Sequence, residues 1–286
     1  MFRHVRLPLL GACLAILVLA GPAQAFDDTA VLDSTYTRKV RTLTPRPGVT
    51  IRYVSHQYKT LSKASVQRAA ILLPGGNGKL GLTASGQLTG LNQNFLMRTR
   101  ERFLLEGIAL VAAVDVPSDS LPNGLDGNIR LGANYAIDIG KVIADVKAQS
   151  GLKSWLIGTS ASPTGVANVA ARLTTANLQS IVLTSSITQL VTGQCGRTVF
   201  NANLAAIDLP SLVVAHRDDA CPCTPASKSA QVIAALTGTT DKAKRIFTGG
   251  LPPISTACEA QSQHGYYGIE TQVVRYIVDW IDARTP

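Results

Sequence analysis

Residues 155–163 read WLIGTSASP, an apolar stretch followed by the pattern Gly-x-Ser-x-small and a proline. The apolar residues before Gly158 predict a buried strand, and residues 164–173 predict a helix. A serine on a sharp turn between such a strand and a helix is typical of a nucleophile elbow, which lifts the serine hydroxyl above the sheet. Ser162 stands where a second glycine is usual. The alternative for Ser160 is an ordinary helix N-cap.

Apolar strands and amphipathic helices alternate on both sides of this turn. Residues 135–149, for example, place Ile139, Ile143 and Val146 on one helical face. Strands that are almost entirely apolar indicate a parallel sheet covered by helices on both faces. We therefore predict an α/β fold with a mostly parallel central sheet, in a single domain over residues 26–286. The other predicted helices are residues 91–106, 227–236 and 273–281, and the predicted strands are residues 50–58, 69–73, 108–116, 154–157, 180–184, 212–215 and 245–248.

Residues 1–25 have the parts of a secretory signal peptide. A basic start precedes the apolar run of residues 7–20, and an Ala-Gln-Ala cleavage sequence ends at Ala25. The run is shorter than the roughly 20 residues that span a bilayer. We expect cleavage after Ala25, export to the periplasm or the medium, and no stable membrane insertion afterwards. Lipidation at Cys13 is the alternative.

Composition excludes several classes of protein. Hydrophobic residues make up 46% of the chain and charged residues 16%, so the chain can form a packed core and is not of the disordered class. The formal net charge is +9, which can favour anionic partners. The basic residues are scattered, however, and no nucleic-acid-binding motif is present, so we expect no nucleic-acid partner. The sequence leaves the oligomeric state open.

The cysteines predict disulfides. Four remain after the predicted cleavage: Cys195, Cys221, Cys223 and Cys258. An even number in an exported chain predicts two disulfides, for which three pairings are possible. A metal site at Cys221 and Cys223 is the alternative, but their spacing is shorter than in zinc sites and no His pair matches it. A cysteine-based redox protein would need an accessible thiol of low pKa.

The residues after Ser160 include the partners that a serine nucleophile needs, a histidine base and a carboxylate that orients it. Only two histidines follow Ser160. His216 ends a predicted strand, whereas His264 lies in a loop between the last predicted strand and the final helix. His264 is therefore the predicted base, and a surface loop histidine is the alternative.

Five acidic residues lie between Ser160 and His264: Asp208, Asp218, Asp219, Asp241 and Glu259. The triad acid is expected just past the second strand after the nucleophile turn. Residues 209–214 form that strand, and its exit contains Asp218 and Asp219. Either carboxylate could orient the imidazole, and the position favours Asp219.

Ser160, Asp219 and His264, in this order, resemble the α/β-hydrolase superfamily over nearly the whole predicted mature chain. In related hydrolases the acid strand often reads Pro-x-Leu-Val-Val. That pattern, laid over residues 210–214, leads to Asp219 rather than Asp218. The resemblance implies a small serine hydrolase without a large cap. Disulfides near Asp219 and His264 would tie their two loops together.

Residues 74–78, Pro-Gly-Gly-Asn-Gly, are similar to the His-Gly-Gly-Gly oxyanion loop of the same superfamily, with Pro74 in place of the histidine. The resemblance implies that the N–H of Gly76 or Asn77 joins that of Ala161 in binding the oxyanion. It further implies hydrolysis of a carboxylic ester or thioester, with a small-molecule or acyl substrate, a covalent acyl-enzyme and no cofactor or metal. Peptidase or acyltransferase activity would use the same residues, and the alternative from another class is non-catalytic binding on the same scaffold.

Overall fold

The structure is a computed structural model that describes residues 35–173 and 178–284. The predicted signal peptide lies outside the described residues. The strands are β1 Tyr36–Arg46, β2 Val49–Tyr58, β3 Val66–Leu73, β4 Ile108–Val114, β5 Ser154–Thr159, β6 Leu178–Thr184, β7 Ser211–His216 and β8 Lys242–Phe247. The helices are α1 Phe95–Arg98, α2 Arg100–Leu105, α3 Gly127–Leu131, α4 Ala133–Ser150, α5 Ser162–Arg172, α6 Ser229–Ala235 and α7 Glu270–Asp282.

The eight strands form one sheet in the order β1-β2-β4-β3-β5-β6-β7-β8. β2 pairs antiparallel with β1 and β4. All pairings from β4 through β3 to β8 are parallel. The prediction of a mostly parallel central sheet is therefore confirmed.

Helices cover both faces of the sheet, and the strands alternate their side chains between the two. In β3, Ile71 packs among residues of α4, α5 and α6 on one face. Leu72, its neighbour, packs among residues of α1, α2 and α7 on the other face. Both side chains are fully buried. This double cover explains why the central strands are apolar at nearly every position.

The first strand was absent from the sequence prediction. β1 reads YTRKVRTLTPR, with few apolar residues, and it lies at the edge of the sheet. It pairs with β2 in a register that sets Val40 opposite Val54. An edge strand exposes much of its length to solvent, so its composition carries little apolar periodicity.

The prediction of one helix over residues 91–106 is wrong. Leu91 has a φ of +50°, which a right-handed helix excludes. The helix starts only at Phe95, because the Asn94 side chain accepts the N–H of Leu96 at 3.2 Å. It then breaks at Thr99, whose hydroxyl donates to the carbonyl of Phe95 at 2.7 Å. Residues 91–94 are a loop beside the candidate site.

Within residues 35–173 and 178–284, no helix combines the length and the apolar character that crossing a membrane requires.

Candidate active site

Ser160 lies at the tip of the turn between β5 and α5. Its φ is +62°, a left-handed conformation that typically costs a non-glycine residue about 1–3 kcal/mol. Gly158 makes the turn possible, because an added Cβ there would lie 2.7 Å from Val166 Cγ2. The Ser162 hydroxyl donates to the carbonyl of Pro74 and so joins the start of α5 to the glycine-rich loop. Strand, turn and helix match the pattern that predicts a nucleophile elbow.

His264 contacts Asp219 directly. His264 Nδ1 lies 3.0 Å from Asp219 Oδ2, and the two side chains are 6% and 1% exposed. The other carboxylate oxygen accepts the N–H of Cys221 at 2.9 Å. With the proton held on Nδ1 by the carboxylate, Nε2 is free to accept a proton from a nucleophile.

Asp218, the alternative acid, points elsewhere. It is exposed and pairs with Arg217 at 2.9 Å, and this arginine lowers the pKa of its carboxyl group. The structure therefore brings Asp219, and not Asp218, to the imidazole.

Thr224 is a member of this network that sequence reasoning missed. Its buried hydroxyl donates to Asp219 Oδ2 at 2.7 Å and lies 3.1 Å from His264 Nδ1. The hydroxyl therefore fixes the carboxylate from a second direction. No pattern in the sequence marks this threonine, because its partners are distant along the chain or across a loop.

Buried hydrogen bonds hold the histidine loop, the loop that carries His264, to the carboxyl ends of β6 and β7. The Ser185 hydroxyl, at the end of β6, donates to the carbonyl of His264 at 2.8 Å. The Tyr266 hydroxyl donates to the carbonyl of Val214 in β7 at 3.1 Å. Tyr266 is fully buried, and this burial raises the pKa of its phenol. The loop carrying His264 is thereby anchored to two neighbouring strands.

His216, the other histidine considered from the sequence, uses both ring nitrogens in hydrogen bonds to the backbone. It is fully buried, and its Nδ1 accepts the N–H of Asp218 at 3.1 Å. Its Nε2 lies 2.9 Å from the carbonyl of Gly249, to which it donates. His216 therefore links the loop that carries the acid to the segment after β8.

Two cavities flank Ser160. The histidine-side cavity, of about 370 Å³, is lined by Ser160, His264 and Phe95 among others. The arginine-side cavity, of about 400 Å³, is lined by Ser160, Ala161, Arg130 and others. Within the described residues, no hydrogen bond joins the Ser160 hydroxyl to the His264 ring. Catalytic hydrogen bonds of this kind are often long in the free enzyme and shorten when substrate binds.

The glycine-rich loop passes close to Ser160. A Cβ added to Gly75 would lie 2.7 Å from Ser160 Cβ, so only glycine permits this approach. Gly76 lines both cavities, and Ala161 lines the arginine-side cavity with it. Asn77 lines neither, and its side chain accepts the N–H of Lys79 at 3.1 Å. Of the two loop residues expected as oxyanion donors, the geometry favours Gly76.

Arg130 supports the glycine-rich loop from behind, and sequence reasoning missed it. Its side chain is 1% exposed, and Nη2 donates to the carbonyl of Gly76 at 2.7 Å. Nη1 donates to the carbonyl of Leu125 at 2.9 Å. The Asn168 side chain, in α5, donates to the backbone carbonyl of Arg130 at 2.9 Å. The glycine-rich loop is thus connected to α5, the helix that follows Ser160.

Two disulfides surround the acid loop, which is the loop of residues 217–225 after β7 that carries Asp219. Cys221 pairs with Cys258 and joins the acid loop to the histidine loop. Cys195 pairs with Cys223 and joins the acid loop to the connection between β6 and β7. The spacing of the cysteines leaves three pairings open, and the structure selects this one.

Solved structures of esterases and of a serine hydrolase homologue share the fold of this chain. No protein-family model matches the sequence, and no curated protein matches it. An esterase from Rhizomucor miehei superposes with a TM-score of 0.60 at 14% identity, over 91% of this chain and 87% of its own. A cold-adapted esterase from an Arctic intertidal metagenomic library gives 0.56 at 15% identity, over 88% and 95%. An α/β serine hydrolase homologue from Coxiella burnetii gives 0.53 at 13%, over 84% and 95%.

Proposed function

Because the chain has the α/β-hydrolase fold, we propose that it is an exported serine hydrolase that cleaves carboxylic esters or thioesters. Ser160 is the proposed nucleophile, His264 the base and Asp219 the residue that orients the base. The observation that carries this proposal is the contact of His264 with Asp219 on the wall of the cavity that Ser160 also lines. The two disulfides and the predicted signal peptide support export.

In the proposed reaction, the Ser160 hydroxyl attacks the acyl carbon while its proton passes to His264 Nε2. The N–H groups of Gly76 and Ala161 donate to the oxyanion of the tetrahedral intermediate. Such donors typically contribute about 3–4 kcal/mol each to transition-state stabilisation. His264 then protonates the leaving alcohol or thiol, which departs and leaves an acyl-enzyme. A water molecule, deprotonated by His264, attacks the acyl-enzyme and releases the acid.

The two cavities have different roles in this scheme. The leaving group receives its proton from His264, so it occupies the histidine-side cavity. The carbonyl oxygen faces the N–H of Ala161, and the rest of the acyl group extends into the arginine-side cavity. Apart from Gly76, Ser160 and Cys258, which line both cavities, the acyl group and the leaving group are therefore recognised by different residues.

Turnover of a 4-nitrophenyl ester tests the proposal. We expect hydrolysis by the folded, disulfide-bonded protein, and a fall in kcat of roughly 10⁴-fold or more in Ser160→Ala. The variant removes only a hydroxyl, so its unfolding temperature is the control for folding. A wild-type protein that turns over no ester or thioester in a panel of short acyl chains would favour the alternative, a binding protein on this scaffold.

A further inference from the structure

The arginine-side cavity contains a buried arginine that makes no salt bridge within the described residues, although the charge of Asp126 acts on it without a hydrogen bond. Arg130 lines this cavity, its side chain is 1% exposed, and no ion pair of the described residues includes it. Its Nη atoms donate to two backbone carbonyls, whereas its buried Nε has no hydrogen-bond partner in the described part of the chain. A buried charge that is not neutralised is costly, and an anion bound nearby would lower that cost.

A second arginine lines the same cavity from the opposite loop. Arg197 is an exposed residue, and its Nε donates to Asn128 Oδ1 at 2.8 Å. The base of its side chain lies against Gly127, because a Cβ added to Gly127 would lie 2.4 Å from Arg197 Cβ. The disulfide at Cys195, two residues earlier, holds the same loop to the acid loop.

One carboxylate, that of Asp126, lines this cavity in the described structure. One of its oxygens accepts the N–H of Ile129 at 2.7 Å and caps α3. Two arginines against one carboxylate leave the cavity with an excess of positive charge. Guanidinium groups prefer carboxylates, because their planar N–H groups match the two oxygens.

We propose that the arginine-side cavity binds a carboxylate at the far end of the acyl group, so that the enzyme prefers half-esters of dicarboxylic acids. The inference rests on the proposed function, since it concerns the acyl group that Ser160 would accept. Arg197 is the accessible partner of this carboxylate, and Arg130 contributes charge from the buried wall. Asp126 weakens the preference by repulsion.

A matched pair of substrates tests the preference. The 4-nitrophenyl monoester of adipic acid and 4-nitrophenyl hexanoate have acyl chains of equal length, and only the first has a terminal carboxylate. We expect kcat/KM for the adipate ester to exceed that for the hexanoate by about tenfold or more. The ratio should fall as ionic strength rises, because salt screens an exposed charge such as Arg197.

Removing a positive charge and removing a negative charge from the cavity should change the adipate-to-hexanoate ratio in opposite directions. Arg197→Gln should lower the adipate-to-hexanoate ratio of kcat/KM about tenfold, because only the adipate ester loses a charge partner. Asp126→Asn should raise the ratio, and asparagine caps a helix as well as aspartate does, so α3 is retained. A ratio of one or less in the wild type, or a ratio unchanged in Arg197→Gln, would overturn the inference.

The carboxylate site can be absent from a protein that is still a serine hydrolase, and the two esters distinguish these cases. Turnover of hexanoate without any preference for the adipate ester contradicts the carboxylate site and leaves the serine hydrolase intact. If neither ester is cleaved by protein with both disulfides formed, the carboxylate preference and the proposed function fail together.

Discussion

At the scale of single residues, the site contains side chains that the sequence indicates and others that only the folded structure shows. The contact of Asp219 with His264, beside the cavity that Ser160 lines, could be expected from the sequence, because each residue follows a predicted strand or precedes a predicted helix. Thr224 and Arg130 could not, since their partners are reached only through the folded loops. A local pattern predicts a residue that occupies a standard position, and it contains no information on contacts that the tertiary fold creates.

Thr224 provides a test at this scale. Thr224→Val keeps the shape of the side chain and removes the hydroxyl that donates to Asp219. Hydrogen bonds to charged groups contribute about 1.5–3 kcal/mol, so we expect kcat to fall roughly tenfold or more with KM little changed. Thr224→Ser keeps the donor and should retain most of the activity. Equal kcat values for the valine and serine variants, measured on a 4-nitrophenyl ester, would remove Thr224 from the network.

At the scale of elements, periodicity predicted the buried parts better than the edges. α4 spans Ala133–Ser150, where apolar spacing predicts residues 135–149. β8, by contrast, starts at Lys242 rather than residue 245, because its polar side chains hide the strand in the sequence. The edge strand β1 was missed for the same reason. Partial exposure removes the apolar signal on which such predictions depend.

At this scale, removal of the disulfide between Cys221 and Cys258 tests whether the link between two loops supports both stability and activity. The disulfide links the acid loop to the histidine loop across a separation of 37 residues. Its removal in Cys221→Ser/Cys258→Ser should lower the free energy of unfolding by roughly 2–5 kcal/mol. Since it also fixes Asp219 relative to His264, we expect kcat to fall well below the wild-type value at temperatures where the variant is folded.

Cys195→Ser/Cys223→Ser is the matched control, because that disulfide leaves the histidine loop untouched. It should lower stability similarly, with a smaller loss of kcat. Thermal unfolding and ester turnover, measured on both double variants, separate the two effects. Wild-type kcat in the folded Cys221→Ser/Cys258→Ser variant would contradict a role for this disulfide in positioning the triad.

At the scale of the whole molecule, the parallel sheet assembles the site. The turn after β5, the loop after β7 and the loop after β8 all leave the carboxyl ends of parallel strands, so they meet at one edge. The fold class and this meeting edge could be predicted from the alternation of strands and helices. The strand order and the two cavities could not, because both depend on which strands pair.

The pH dependence of global stability depends in part on a buried histidine. His56, in β2, is 2% exposed, and burial, with the charges of Arg100 and Arg38, lowers its pKa to about 3. An unfolded histidine has a pKa of about 6.5. Between these values the unfolded chain binds the proton and the folded chain does not, so the free energy of unfolding falls as pH drops, by up to about 1.4 kcal/mol per pH unit.

His56→Leu removes this contribution. Urea unfolding at several pH values between 7 and 4 should give a shallower decline of stability in the variant than in the wild type. The carboxylates that titrate in the same range are common to both proteins; apart from Glu101, whose Oε1 lies 4.0 Å from His56 Nε2, they should contribute equally to the two slopes. Identical slopes in the two proteins would show that His56 does not carry the effect.

Fluorophosphonate labelling of the folded, disulfide-bonded protein, with the labelled peptide identified by mass, is the most direct test of the central claim that Ser160 is an activated nucleophile. The reagent needs no knowledge of the substrate, because it reacts with serines activated by a neighbouring base. We predict a single label on Ser160 that is lost in Ser160→Ala and strongly reduced in His264→Ala. A folded protein that takes up no label, or takes it up at another residue, would contradict the account.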